Sequence, residues 1–278
     1  MVLKSYSKVN LSLRVNNKLK SGLHEIQSYY CLVNLSDKIK ISKTKNKKDK
    51  ILFKGQFVKQ IKKSNNSIVN ILKLIRKLKL ISSYYYLTVT KNIPVFSGLG
   101  GGTSNAAFIL KFLLKDKINK SILDKAQKVV GSDLRLFLHK QGYLENLKTI
   151  KVSKKKQKLF FLLSSPNISC STREIFSKVT RCSKKTKFSF QKINTRKKFI
   201  KYISAEKNEL QSIVEKKYPI IKKLLTDISK EKGCYFSRMT GSGSVCYGLF
   251  NSESNTKKAL RKIKTKHPKF WFSIAKTV

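Results

Sequence analysis

"IPVFSGLGGGTSNAAF" runs from Ile93 to Phe108, and four of the twelve glycines in the chain fall between Gly98 and Gly102. Upstream, "YYYLTVT" (Tyr84–Thr90) is rich in aromatic and β-branched residues and predicts a strand. Downstream, Ala106, Ala107, Ile109, Leu110, Leu113 and Leu114 recur at helical spacing. The glycines therefore sit where a strand turns into a helix. Glycine permits positive φ and a close backbone approach to a ligand. The amides of Gly101 to Ser104, at the helix start, lack intrahelical acceptors and stand at the positive end of the helix dipole, which makes an anion site.

Two familiar phosphate loops fit poorly. A Walker A loop needs a lysine after the glycines, and none follows. A dinucleotide fingerprint needs a third glycine where Thr103 stands, although Asp124 lies near the distance of its acidic residue. A plain structural turn does not explain Thr103 and Ser104, hydroxyls placed to cap a helix and meet phosphate or metal.

Around this stretch, residues 5–15 alternate, with Val9, Leu11, Leu13 and Val15 on one face and Lys8, Asn10, Ser12 and Arg14 on the other. That pattern predicts a half-buried strand with Lys8 and Asn10 on its polar side. "YYCLVNLSDKIKIS" follows as a second strand, and "KTKNKKDK" (Lys43–Lys50) as a solvated loop. Ile68, Ile71, Leu72, Ile75 and Leu78 mark an amphipathic helix. After the polar patch Ser153–Lys158, "LFFLLSS" (Leu159–Ser165) starts a new strand, which places a domain boundary near residue 150. A basic helical region at Asn208–Lys232 ends at Gly233 as a C-cap. "MTGSG" leads into the strand Ser244–Phe250, then a helix near Thr256–Lys264 and a last strand near Phe270–Val278.

The 278 residues suffice for two cores. No apolar run reaches the roughly 18–20 residues of a bilayer span. The alternating start reads as mature protein, neither signal nor transit peptide. Five scattered cysteines without a CxxC or Cys/His cluster support neither a disulfide framework nor a zinc site, and a reducing cytoplasm is the simple reading. Sixty-two Lys plus Arg against fourteen Asp plus Glu give a net charge of +48. Lysine is spread evenly along the chain instead of forming one stripe or arm, so compositional drift explains it better than nucleic-acid binding. The charge would still steer a polyanionic ligand to the protein.

"PVFSGLGGGTSNAA" (Pro94–Ala107) resembles the phosphate loop of the GHMP kinase superfamily, P-x3-G-L-G-x-[ST]-[ST]-x-A-A. "SKVNLSL" (Ser7–Leu13) is similar to that family's first strand, and "RMTGSGSVCYGLF" (Arg238–Phe250) to its third motif. "SGLHEIQSYYCLVNLSDKIKI" (Ser21–Ile41), "VGSDLRLFL" (Val130–Leu138), "STREIF" (Ser171–Phe176) and "NELQSIV" (Asn208–Val214) resemble segments of one branch, which phosphorylates the 2-hydroxyl of a cytidine-diphosphate-linked methylerythritol in non-mevalonate isoprenoid precursor synthesis.

The resemblance implies an α+β, two-domain fold: an N-terminal ATP-binding domain over residues 1–149, and a ferredoxin-like C-terminal domain over residues 150–278, with a cleft between them. It implies a cytoplasmic, ATP-dependent small-molecule kinase using Mg²⁺, a monomer or weak homodimer with no specific nucleic-acid or membrane partner. Asp133 is implied as proton acceptor, paired with Lys8. Pro94, Gly98, Leu99, Gly100, Gly101, Gly102, Thr103 and Ser104 are implied around the ATP phosphates, with Ser104 also a candidate magnesium ligand. Asn10, His24, Phe176, Gly241, Ser242 and Gly243 are implied at the substrate. There His24 would read the cytosine edge and Phe176 stack on it, a contact worth ~1–3 kcal/mol elsewhere. For Gly241–Gly243 a plain hairpin turn stays an alternative, and His139 and His267 read as structural. Leu23 replaces the tyrosine usual before the histidine, and Arg135 the proline usual after Asp133. Arg135 is expected either to alter that loop or to add a phosphate contact. A homoserine or mevalonate type of kinase, or a nucleic-acid-binding descendant of the fold, are the alternatives.

Overall fold

A computed structural model of the chain describes residues 1–62, 64–152 and 155–278. Of the polar patch expected at Ser153–Lys158, positions 153 and 154 lie outside the described residues. The chain packs into two units. One holds Met1–Lys8, Leu35–Val95 and Gly100–His139; the other holds Val9–Asn34, Phe96–Leu99 and Lys140–Val278. A single cut near residue 150 does not coincide with this division, because residues 9–34 and 96–99 pack with the C-terminal part.

The elements in chain order begin with strands β1 (Val2–Asn10), β2 (Arg14–Lys18), β3 (His24–Thr44) and β4 (Lys50–Lys54). Next come helix α1 (Ser67–Lys77), β5 (Tyr84–Thr90), α2 (Gly101–Leu114) and α3 (Lys120–Val130). A 3-10 helix (Ser132–Leu138) leads to β6 (Gln141–Leu144), β7 (Ile150–Val152) and β8 (Phe160–Ser165). The chain continues with α4 (Thr172–Ser177), α5 (Arg196–Ala205), α6 (Gln211–Lys217), α7 (Pro219–Ser229), β9 (Cys234–Met239), β10 (Cys246–Phe250), α8 (Glu253–Lys266) and β11 (Trp271–Lys276).

In the first unit, β5 pairs antiparallel with the end of β3, Val89 opposite Ile39, and parallel with β4. Alternation in β5 buries Tyr85, Leu87 and Val89 on one face. Helix α1 forms where the spacing predicts and buries Ile68, Ile71, Leu72 and Ile75. It starts on Asn66, whose side chain accepts the amides of Ile68 and Val69, so the first turn is capped.

In the second unit, β8 to β11 form an antiparallel sheet in the order β11-β8-β10-β9. Helices connect β8 to β9 and β10 to β11, giving the ferredoxin-like βαββαβ pattern. The first half of β3 pairs with β2 and β6 in the same unit, Tyr29 opposite Tyr143.

Two expectations need correction. The first strand stops at Asn10, and its polar side is not solvated: Lys8, Asn10 and Ser12 are all buried. Alternation predicts a wet face only where nothing covers it. Helix α7 ends on Lys230, not on Gly233. Gly233 instead lies in the turn to β9, where a Cβ would crowd the side chains of Asn251 and Asn255.

Candidate active site

In the first unit the glycine turn is made by approaches no side chain could share. Gly100 precedes α2 at φ +71°, and a Cβ there would stand 2.7 Å from Phe137 Cζ and 3.5 Å from Lys8 Cε. At Gly101 a Cβ would meet Ile93 Cγ2 at 3.0 Å. The first ladder bond of α2 runs from the Ser104 amide to the Gly100 carbonyl at 2.8 Å. The amides without intrahelical acceptors are therefore those of Gly101, Gly102 and Thr103, and no side chain caps them. Ser104 differs from expectation: its amide already serves the helix, and its hydroxyl is fully buried, donating to the Tyr6 carbonyl at 2.6 Å and lying 2.7 Å from Ser5 Oγ. Of the two hydroxyls, Thr103 keeps the more accessible position. Pro94 and Leu99 are buried.

Beside Gly100, the Lys8 ammonium lies 3.2 Å from the Asp133 carboxylate. The lysine side chain is only 4% exposed, whereas that of Asp133 is 32% exposed. A buried cation thus holds a carboxylate that still faces outwards. The ammonium at this distance orients the carboxylate, which keeps an open oxygen able to accept a proton. Asp133 rides on the 3-10 helix, which also carries Phe137 to the Gly100 backbone.

Behind the turn lies a network that the sequence does not announce. Asp37 is fully buried and accepts from the amides of Asn92 and Ile93, from Asn105 Nδ2 and from the Lys91 ammonium. Lys91 also donates to Asn105 Oδ1 at 2.9 Å, and Asn105 Nδ2 reaches Ser5 Oγ at 3.0 Å. These bonds fix the end of β5 and the second turn of α2 to one carboxylate.

In the second unit, His24 opens β3, and its ring stacks on Phe176 of α4, centroids 5.2 Å apart and planes 30° apart. Burial, helped by the charge of Lys18, lowers the His24 pKa from its ordinary value. The neutral ring has one nitrogen that donates and one that accepts. Leu23, in place of an aromatic, is about half exposed. Gly98, at φ +77°, lies so close to the Thr240 carbonyl that any Cβ would overlap it. The loop Gly241–Ser242–Gly243 is the hairpin turn between β9 and β10, with both glycines at positive φ. Ser242 Oγ lies 2.9 Å from Thr172 Oγ1, and the Asn10 amide donates to Thr240 Oγ1 at 3.0 Å. The Asn10 side chain is buried and donates to Ser28 Oγ at 2.8 Å. Buried Asn208 donates to the carbonyls of both Met239 and Gly241 at 2.8 Å. Sequence reasoning saw Asn208 only as part of a motif. Its signal is a lone amide before a helix, too common to single out.

Among the described residues, no group of three or more His, Cys, Asp or Glu side chains is arranged to hold a metal ion, and no helix is long and apolar enough to cross a membrane. His267 is structural, as expected, with Nε2 2.8 Å from the Asp227 carboxylate.

The chain is similar to known proteins along nearly its whole length. The family described as "GHMP kinases N terminal domain" matches residues 66–133, and "GHMP kinases C terminal" matches residues 192–269. The chain is 35% identical to the 4-diphosphocytidyl-2-C-methyl-D-erythritol kinase of Pelagibacter ubique, over 99% of this chain and 98% of that one. It is 30% identical to the enzyme of the same name from Wolbachia pipientis wMel, over 97% and 96%. Its fold is similar to a crystal structure of 4-(cytidine 5'-diphospho)-2C-methyl-D-erythritol kinase, with a TM-score of 0.75 at 18% identity over 99% of both chains. A homoserine kinase from Cytophaga hutchinsonii has a TM-score of 0.65 at 14% identity, over 99% of this chain and 95% of that one. The chain belongs to the GHMP kinases, in the family of the 4-diphosphocytidyl-2-C-methyl-D-erythritol kinases.

Proposed function

We propose that this protein transfers the γ-phosphoryl group of ATP to the 2-hydroxyl of 4-diphosphocytidyl-2-C-methyl-D-erythritol. The observation that carries the chemistry is the contact of buried Lys8 with the partly open Asp133 carboxylate, next to Gly100. Asp133 accepts the proton of the 2-hydroxyl as its oxygen attacks the γ-phosphorus. The bond from that phosphorus to the β–γ bridging oxygen breaks, and ADP leaves with the bonding pair. Lys8 orients Asp133, and its charge favours the transition state.

Gly98, Gly100, Gly101, Gly102 and Thr103 cradle the phosphates, with the bare amides of the last three as donors. Pro94, Leu99 and Ser104 support the turn from within. Mg²⁺ would screen phosphate charge. With the Ser104 hydroxyl turned inwards, Thr103 would be the loop hydroxyl left to meet the ion, which would otherwise be held by phosphate oxygens and water.

For the substrate, neutral His24 matches the mixed donor and acceptor edge of cytosine, and Phe176 supplies a stacking face. Asn10, Gly241, Ser242 and Gly243 shape the remainder. In this reading the residues that serve ATP all fall within residues 1–149, and residues 150–278 contribute Phe176 and the Gly241–Gly243 loop. The protein works in the cytoplasm as a monomer or weak homodimer, without a specific nucleic-acid partner.

The experiment offers ATP with the cytidylyl-methylerythritol substrate, with homoserine and with mevalonate, and follows ADP release and the phosphorylated product by mass spectrometry. Turnover restricted to the first substrate, with phosphate on its 2-oxygen, is expected. Equal turnover of homoserine or mevalonate overturns the substrate. Salt-sensitive RNA or DNA binding without any phosphoryl transfer overturns the kinase reading.

A further inference from the structure

The 3-10 helix that carries Asp133 begins after Gly131, whose φ of +136° allows the chain to swing away from α3. Such a short helix, held by i→i+3 bonds of poor geometry, does not fix a side chain well by itself. Its far end is fixed by Phe137, which lies against Gly100. Its near end is fixed by Arg135. The Arg135 side chain is only 11% exposed and turns towards α3, away from the role of a phosphate contact. Nε donates to Gln127 Oε1 at 2.6 Å, and Nη2 donates to Asp124 Oδ1 at 2.8 Å. Gln127 Nε2 in turn donates at 2.8 Å to the carbonyl of Ser132, the residue immediately before Asp133. Arginine, glutamine and the backbone beside Asp133 thus form one closed chain of hydrogen bonds, anchored on the rigid helix α3 by an ion pair.

We propose that Arg135 is a positioning residue for Asp133: its clamp on Asp124 and Gln127 holds the 3-10 helix so that the carboxylate stays against Lys8 and in line with the acceptor hydroxyl. The inference rests on the reading of Asp133 as proton acceptor. Phosphoryl transfer depends steeply on alignment, and a shift of about 1 Å at a reacting group can cost on the order of 100-fold in rate. A clamp of this kind therefore acts on kcat more than on binding, because the residues assigned to the phosphates and to the cytosine lie outside the 3-10 helix.

The test compares the full chain with Arg135→Met, which keeps the apolar stem and deletes both bonds, and Arg135→Lys, which keeps a cation for Asp124. Asp133→Asn serves as the control. Arg135→Met should lower kcat about 10- to 100-fold with KM for both substrates unchanged. Arg135→Lys should recover most of that loss. Amide hydrogen exchange over residues 132–138 should quicken in Arg135→Met and slow again in Arg135→Lys. Unchanged kcat per folded molecule in Arg135→Met, while Asp133→Asn is inactive, overturns the clamp and leaves the acceptor intact. Equal losses in the two Arg135 variants, or a loss that follows the folded fraction alone, also overturn it. Full activity in Asp133→Asn removes the acceptor and the clamp together.

Discussion

The first unit contains two Lys–Asp pairs near the same glycine turn, and they do opposite things. Asp37 is sealed: four donors fill its lone pairs, among them two backbone amides, and neither it nor Lys91 reaches solvent. Asp133 is held from one side by buried Lys8 and keeps about a third of its side-chain surface open. A carboxylate saturated with donors has no lone pair to offer a proton and serves as a structural knot. One that is charged, oriented and unfinished can act as a base. Chemistry here follows from how much of the acid is left unspent, not from the presence of the pair.

The sharpest way to break this contrast is to remove each negative charge with an isosteric amide. Asp133→Asn should lower kcat about 100- to 10,000-fold, the range for loss of a positioned general base. Because it also strips the counter-charge from buried Lys8, it should lower the denaturation midpoint too, though by less than Asp37→Asn, since Asp133 itself is partly solvated. Steady-state kinetics and urea unfolding on one preparation decide the matter; an active Asp133→Asn ends the contrast. Asp37→Asn should act mainly on stability. It leaves the Lys91 ammonium buried without its counter-charge, a change that costs about 3–5 kcal/mol, read as a lower urea midpoint at unchanged slope. If it unfolds no more easily than wild type, the pair is not the knot described.

A smaller effect is expected where packing, not charge, joins the open pair to the turn. Gly100→Ala places a methyl group 2.7 Å from Phe137 Cζ and 3.5 Å from Lys8 Cε, at a φ that L-residues avoid. Overpacking and left-handed strain together should cost about 2–3 kcal/mol, measurable by thermal unfolding. The ring that must yield belongs to the helix carrying Asp133, so kcat should fall as well. A loss of stability with kcat intact would show that Phe137 adapts without moving the acid.

Legibility followed the range of each interaction. The turn at Gly98–Ser104 could be read because its demands are local: positive φ, close approach and a helix start all fall within a few residues. Lys8 was legible only through its neighbours Val9, Asn10 and Leu11, since nothing in an isolated lysine tells a buried one from the many at the surface. Its burial escaped notice because the covering of both faces of β1 is set by distant parts of the chain. Arg135 stood out as a departure, yet its partners lie 8 and 11 residues upstream on α3, and no periodicity says which way the side chain turns. The Asp37–Lys91 pair, 54 residues apart in sequence, left no local mark at all. Ser104 misleads for a related reason: a hydroxyl in a phosphate loop looks chemical, but Tyr6 and Ser5 occupy it.

The mildest change is also the most discriminating. Replacing the sealed pair by apolar residues, Asp37→Leu with Lys91→Met, removes both charges at once, so no uncompensated ion is left behind. A buried ion pair exchanged for well-packed apolar groups is often neutral in stability. Asp37 differs from a simple ion pair in one respect: it also satisfies the amides of Asn92 and Ile93 and the side chain of Asn105. Those donors lose their acceptor in the double variant, and an orphaned buried donor costs about 1–3 kcal/mol. Gains in apolar burial offset part of this, leaving a net loss of about 2 kcal/mol, less than Asp37→Asn alone should suffer. Urea unfolding of the single and double variants tests the ordering. A double variant as unstable as the single would mean that the amides, not the lysine, are what Asp37 is there to hold, and the likeness between the two pairs would then be one of composition only.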